Sequence, residues 1–138
     1  MDDRKQVATA RFRLHSGEMV FQRRREDARN PNMLGLFGGH FEPCDRDDPL
    51  RALRRELKEE TGLDVGKLAV KKHNSIFIPE RFVGDDLLYH IHEIDITHAD
   101  FEVSDGPGAE VLGEEEALAS GELEPAILYV LRKERGMQ

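Results

Sequence analysis

Apolar and polar positions alternate in short runs over much of the chain, with a helical period in three places. Val7 to Leu14 reads as a strand, His15-Ser16-Gly17-Glu18 as a turn, and Met19 to Gln22 as the returning strand. Residues 26–33 read as loop, with Asn30-Pro31-Asn32 as its turn signal. Leu34 to Gly39 is a short apolar segment ending in Gly38-Gly39, and Glu42 to Asp48 is polar and loop-like. Asp48-Pro49 then opens a helix: Asp caps free N–H groups, and Pro suits the first helical position. That helix should run to about Thr61, with Gly62 ending it. Leu68 to Ile78 and Leu87 to Ile96 carry further strand signals. Ser104 to Gly108 reads as a mobile loop and Glu114 to Ala119 as a short helix. Pro125 to about Arg135 reads as a closing helix, with Ala126, Ile127, Val130 and Leu131 at helical spacing. No repeat or linker divides the pattern, so one compact mixed α/β domain is expected over residues 1–138.

The helix over residues 49–61 carries the most chemistry. On a wheel at about 100° per residue, Leu50, Leu53 and Leu57 form the stripe expected to face the core. Arg51, Arg54, Arg55 and Lys58 fall mostly away from it, while Glu56, Glu59 and Glu60 group along its border. A solvated helix face would interleave its charges in stabilising pairs. Here Glu56 has like charges at i+3 and i+4, and Glu59 and Glu60 stand at the C-terminal end, which disfavours anions. Each effect costs tenths of a kcal/mol at an exposed site, so a charged surface helix remains one reading. The other is a hard divalent cation over the three carboxylates, held with waters and substrate phosphates. The Gly38-Gly39 pair one loop earlier adds weight, because glycine lets a backbone approach a ligand closely.

Composition narrows the partners. The chain has 138 residues, with 20 Lys+Arg against 28 Asp+Glu and a net charge of −8. No broad basic surface exists to bind duplex nucleic acid. A metal can still reverse the field locally for a small anionic substrate. Cys44 is the one cysteine, which excludes an intramolecular disulfide framework. No apolar run reaches the ~18 residues of a membrane span, and Met1-Asp2-Asp3-Arg4-Lys5 is too polar for a signal peptide. A cytoplasmic protein is the expectation. Arg23-Arg24-Arg25 reads either as a solvated strand end or as a contact to substrate phosphate. His90 and His92 alternate on one strand and point to one face; without an obvious third ligand, they read as strand-surface or pocket-lining residues. Phe37, Phe77, Phe82 and Tyr89 either stack on a base or fill the core, with core preferred for most.

Two segments, Gly39-His40-Phe41-Glu42-Pro43-Cys44-Asp45 and Arg55-Glu56-Leu57-Lys58-Glu59-Glu60-Thr61-Gly62-Leu63, resemble the Nudix box, G-x5-E-x7-R-E-U-x-E-E-x-G-U. The second half matches at every specified position. In the first, Asp45 stands where the family has Glu, and nine residues rather than seven separate it from Arg55. A two-residue insertion around Arg46-Asp47-Asp48 accounts for the spacing. The resemblance implies an α/β/α sandwich around a mixed β-sheet. It also implies hydrolysis of a nucleoside diphosphate linked to another moiety (a nucleoside triphosphate, ADP-ribose or a nucleotide sugar), with Mg²⁺ or Mn²⁺.

Carried over by position, Glu56, Glu59 and Glu60 are the metal-binding and general-base carboxylates, with the Gly38 carbonyl a further ligand. Glu56 and Glu59 both stand as candidate bases, and Arg55 would orient the glutamates. Family members often add a late loop carboxylate; Glu110 is the candidate, with Glu102 and Asp105 as alternatives. Arg23, Phe37 and Gly39 complete the expected substrate contacts, and a homodimer is an expectation from the likeness. Two other readings stay open: a nucleotide-sensing module on the same fold that does not cleave, motivated by the altered loop at Asp45, and a structural acidic domain.

Overall fold

A computed structural model describes residues 5–27, 30–64, 70–97 and 108–136. Among these residues, seven strands form one mixed sheet: β1 (Lys5–Leu14), β2 (Met19–Arg23), β3 (Leu34–Gly35), β4 (Phe37–His40), β5 (Val70–Ile78), β6 (Leu87–Ile96) and β7 (Gly108–Leu112). The main path runs β3-β2-β1-β6-β5, with β4 on β1 and β7 on β2. β1 and β6 pair in parallel over ten residues, while the other pairings are antiparallel. Among the described residues, four helices complete the fold: α1 (Pro49–Thr61), α2 (Glu80–Val83), α3 (Glu114–Ser120) and α4 (Pro125–Glu134).

Strand alternation sorts two cores onto the two sheet faces. Ala8, Ala10 and Phe12 of β1, with Val20 and Ile94, pack against Ala52, Leu53 and Leu57 of α1. Met19, Phe21, Tyr89 and Ile91 point the other way, onto Ala117 of α3 and Ile127, Val130 and Leu131 of α4. Helices on both faces of a mixed sheet make the α/β/α sandwich expected from the sequence. The expected α1 seam needs one correction. Leu50 is 40% exposed, and the buried seam begins a turn later at Ala52 and Leu53.

The ends of α1 follow their sequence signals. The Asp48 carboxylate accepts from the Leu50 and Arg51 backbone N–H groups, and Gly62 closes the helix in a left-handed conformation at φ 75°. Before the helix, Pro43–Asp45 forms a short 3-10 turn. Arg46 and Asp47 follow it at φ 52° and 58°. Two successive left-handed non-glycine residues absorb the extra length of this loop. That conformation strains a side-chain-bearing residue. Asp47→Gly is therefore expected to stabilise the protein by roughly 0.5–1 kcal/mol in urea unfolding.

Candidate active site

The Gly38-Gly39 pair of β4 lies between the β1 backbone and α1. A Cβ on Gly38, at φ 139°, would stand 2.0 Å from the Ala8 carbonyl oxygen. A Cβ on Gly39 would meet the Glu56 carboxylate at 2.6–2.8 Å. Gly38 admits no side chain, because β4 pairs closely with β1, and at Gly39 a side chain would have to displace the Glu56 carboxylate.

The α1 acids reach this turn by different routes. Glu56 lies against Gly39, and its Oε1 accepts from Arg55 Nη1 at 3.0 Å. Glu60 accepts from Gln22 Nε2 at 3.0 Å and from the Gly38 backbone N–H. Glu59 is largely exposed, with Arg55 Nη1 at 3.6 Å. Burial, the largest cause, pushes the Glu60 carboxyl up to about 7, and the charge on Glu56 adds to it. Burial also raises Glu56, with Glu59 and Glu42 adding like charge and Arg55 opposing. Two carboxylates that resist ionisation side by side make a site that a cation would stabilise. Their hard oxygens suit Mg²⁺ or Mn²⁺. Among the described residues, no three His, Cys, Asp or Glu side chains are already closed into a ligand set. Arg55 instead holds Glu56 and Gln22 holds Glu60.

Arg55 ties the loop to the helix. Its Nε and Nη2 donate to Asp45 at 3.1 and 3.0 Å, and its Nη2 also reaches the His40 carbonyl at 3.2 Å. Asp45 is fully buried and accepts the Glu42 backbone N–H at 2.7 Å. The bonds to Arg55 hold its carboxyl below the usual range. Asp45, despite its shorter side chain and longer loop, thus holds the arginine that orients Glu56.

A cavity of about 490 Å³ opens on the α4 face of the sheet, and Gly38 and Gly39 form part of its wall. Thr9, Tyr89, Phe82 and Arg24 also line it. The same glycine backbone therefore borders the acids on one side and the cavity on the other. Arg24 is bonded to Glu124, and its charge is also felt at Glu60.

Three residues expected at the site are elsewhere. Arg23 points to the α4 face, where Nε and Nη2 hold Glu110 at 2.5 and 2.8 Å and Nη1 reaches Glu122 at 3.1 Å. Glu110 is a β7 residue opposite Phe21, so it lies across the sheet from α1 rather than on a loop over it. Strand alternation puts both side chains there. Phe37 is fully buried on the α1 side, edge-on to Phe12 at 5.9 Å, and has no face left for a nucleobase. The alternatives Glu102 and Asp105 lie outside the described residues. Arg24, not Arg23, lines the cavity. The arginine run was visible in the sequence, but which of its members turns inward depends on where β2 ends.

The NUDIX domain family model matches residues 4–131. The chain therefore belongs to the NUDIX domain family, and its class is that of the Nudix hydrolases. Solved structures share its fold at low identity. The MutT protein from Methanosarcina mazei matches at 18% identity and a TM-score of 0.73, over 98% of this chain and 99% of that one. The Ap4A hydrolase of C. elegans matches at 20% and 0.65, over 96% of each chain. A bifunctional NMN adenylyltransferase/ADP ribose pyrophosphatase from Francisella tularensis, complexed with AMP and a Mn ion, matches at 18% and 0.70, over 96% of this chain and 42% of that one. No curated protein matches the sequence.

Proposed function

We propose that the protein is a metal-dependent pyrophosphohydrolase that cleaves a nucleoside diphosphate linked to another moiety. The observation that carries this reading is the shared Gly38-Gly39 wall, with Glu56 and Glu60 on one side and the cavity on the other. A nucleoside in the cavity would bring its phosphates to the acids across backbone that no side chain obstructs. The ADP ribose pyrophosphatase and the Ap4A hydrolase among the structural neighbours support the substrate class, and the Mn ion bound to the first supports the metal.

Glu56, Glu59 and Glu60, with the Gly38 carbonyl, would hold Mg²⁺ or Mn²⁺. A bound ion supplies shielding of phosphate charge and a lowered pKa for attacking water. The protein's own groups do the rest. Glu59 or Glu56 accepts the proton as water attacks phosphorus. Arg55 fixes Glu56 between Asp45 and Gly39, and Arg24 offers a cation at the cavity side of Glu60. Water adds to one phosphorus, the bridging P–O bond breaks, and two phosphate products leave.

Asp45 was the feature that favoured a sensing module without turnover, yet it makes the contact to Arg55 that orients Glu56. The altered loop therefore gives no ground for loss of hydrolysis. The test of hydrolysis is a panel of nucleoside triphosphates, ADP-ribose and nucleotide sugars with and without Mg²⁺. Metal-dependent release of a nucleoside monophosphate is expected; binding without turnover would establish the sensor instead.

The raised Glu60 pKa gives a separate expected result. Near pH 6.5 the metal-free site keeps much of its Glu60 protonated, and a cation must displace that proton. Mg²⁺ titration by calorimetry in buffers of different ionisation enthalpy should show proton release near pH 6.5 that fades well above pH 7. Equal heats in all buffers would exclude the coupling.

A further inference from the structure

The α1 face of the sheet carries a second group of metal-capable side chains, on β5 and β6. His73 pairs across the strands with His92, and Ser75 with His90, so all four side chains project to the same face. His73 is the third imidazole that the spacing of His90 and His92 did not reveal. His90 Nε2 lies 3.0 Å from Gln6 Oε1, which only accepts, so this nitrogen carries the ring proton. Its Nδ1 therefore presents a lone pair. That lone pair accepts the Ser75 hydroxyl at 2.7 Å, and His73 Nε2 stands 3.2 Å from it and 3.4 Å from Ser75 Oγ.

We propose that His73 Nε2 and His90 Nδ1 form a binding site for Zn²⁺, completed by water once the Ser75 hydroxyl turns away from His90, and separate from the α1 carboxylates. The spacing fits: two Zn–N bonds of about 2.0–2.1 Å at a tetrahedral angle set their nitrogens ~3.3 Å apart. Imidazole nitrogens favour Zn²⁺ over the hard Mg²⁺ that carboxylates take. The supporting contacts resemble those of metal-bound histidines, whose other nitrogen donates to an oxygen that fixes the ring. Gln6 does this for His90, and Phe41 stacks on the His90 ring at 5.4 Å and 25°. His92 is buried, with Nδ1 at 3.2 Å from the Thr9 carbonyl, and its ring stacks on His73 at 4.4 Å and 3°. It is the platform beneath His73, not a ligand. His73 and Ser75 are exposed, which leaves a path for the ion.

The test is Zn²⁺ alone titrated into chelator-treated protein at pH 7, for wild type, His73→Ala and Glu59→Gln. A Zn²⁺ site should appear in wild type, persist in Glu59→Gln, and weaken by about 10-fold or more in His73→Ala. In ¹⁵N spectra of the imidazoles, Zn²⁺ should shift His73 Nε2 and His90 Nδ1 and leave both His92 nitrogens in place. Unchanged Zn²⁺ affinity in His73→Ala, or loss in Glu59→Gln alone, would overturn the proposal by placing the ion on α1. Because no arm requires turnover, failure of the hydrolase reading would leave this result unaffected.

Discussion

Glu59→Gln and Glu60→Gln should each lower kcat by about 10²-fold or more while the fold survives. The two substitutions act from different surroundings, which makes them informative together. Glu59 is largely exposed, so an amide there disturbs no packing. Its only route to a large rate effect is loss of a charge that takes a proton or holds an ion. Glu60 is buried under Gln22 and the Gly38 N–H, and its pKa of about 7 leaves the carboxyl about half protonated at pH 7. Glutamine mimics that protonated form in shape and charge, so the metal-free variant should unfold at nearly the wild-type urea concentration. Added Mg²⁺ should raise the midpoint of the wild type and much less that of Glu60→Gln. Steady-state kinetics across Mg²⁺ concentrations, read beside the unfolding curves, separates the roles. A variant with wild-type turnover would remove its residue from the mechanism.

The helix that carries these acids was legible because local signals agree along it. Asp48, Pro49 and Gly62 mark its ends, and Leu53 and Leu57 mark its inner side. The long strands β1 and β6 were equally plain, since Val7 to Leu14 and Leu87 to Ile96 alternate over many residues. What escaped was decided by tertiary pairing. The apolar run Leu34 to Gly39 conceals two strands: β3 pairs with β2, and β4 crosses to β1. No periodicity marks that break, and it determines that Phe37 enters the core. β7 begins at Gly108, inside the stretch read as loop, and its pairing with β2 takes Glu110 to the far face. The four residues of α2 are too few to show a helical period. For the proposed site, the resemblance points to Glu56, Glu59, Glu60 and Arg55, all within one helix. It could not identify Arg24, which depends on the end of β2, or His73, which is brought to His90 and His92 by the β5–β6 register.

Asp45→Asn is expected to cost about 3 kcal/mol in urea unfolding and to lower kcat by roughly 10-fold in the fraction that remains folded. Asp45 is the buried end of a carboxylate–guanidinium pair, while Arg55 stays partly open to solvent. This places the expected loss at the lower end of the range for a broken buried pair. Both Asp45 oxygens accept from Arg55, and Oδ2 also takes the Glu42 N–H. Asparagine keeps one acceptor and turns an amide N–H₂ toward donors, leaving at least one unmatched. The catalytic loss follows through Arg55, which would retain its bond to Glu56 but lose the anchor that fixes its direction.

The pH dependence distinguishes this from general destabilisation. Asp45 ionises below its ordinary range when folded, so its contribution to stability is present above the unfolded pKa and disappears as pH falls through the folded value. The gap in stability between wild type and Asp45→Asn should therefore be full at pH 7 and narrow in acid. Asp45→Glu is not expected to behave as wild type, because its extra methylene must fit a loop already lengthened through Arg46 and Asp47. Equal stability and turnover in Asp45→Asn would mean that another acid orients Arg55. Glu42, whose Oε1 lies 3.6 Å from Arg55 Nη1, would then be the residue to substitute.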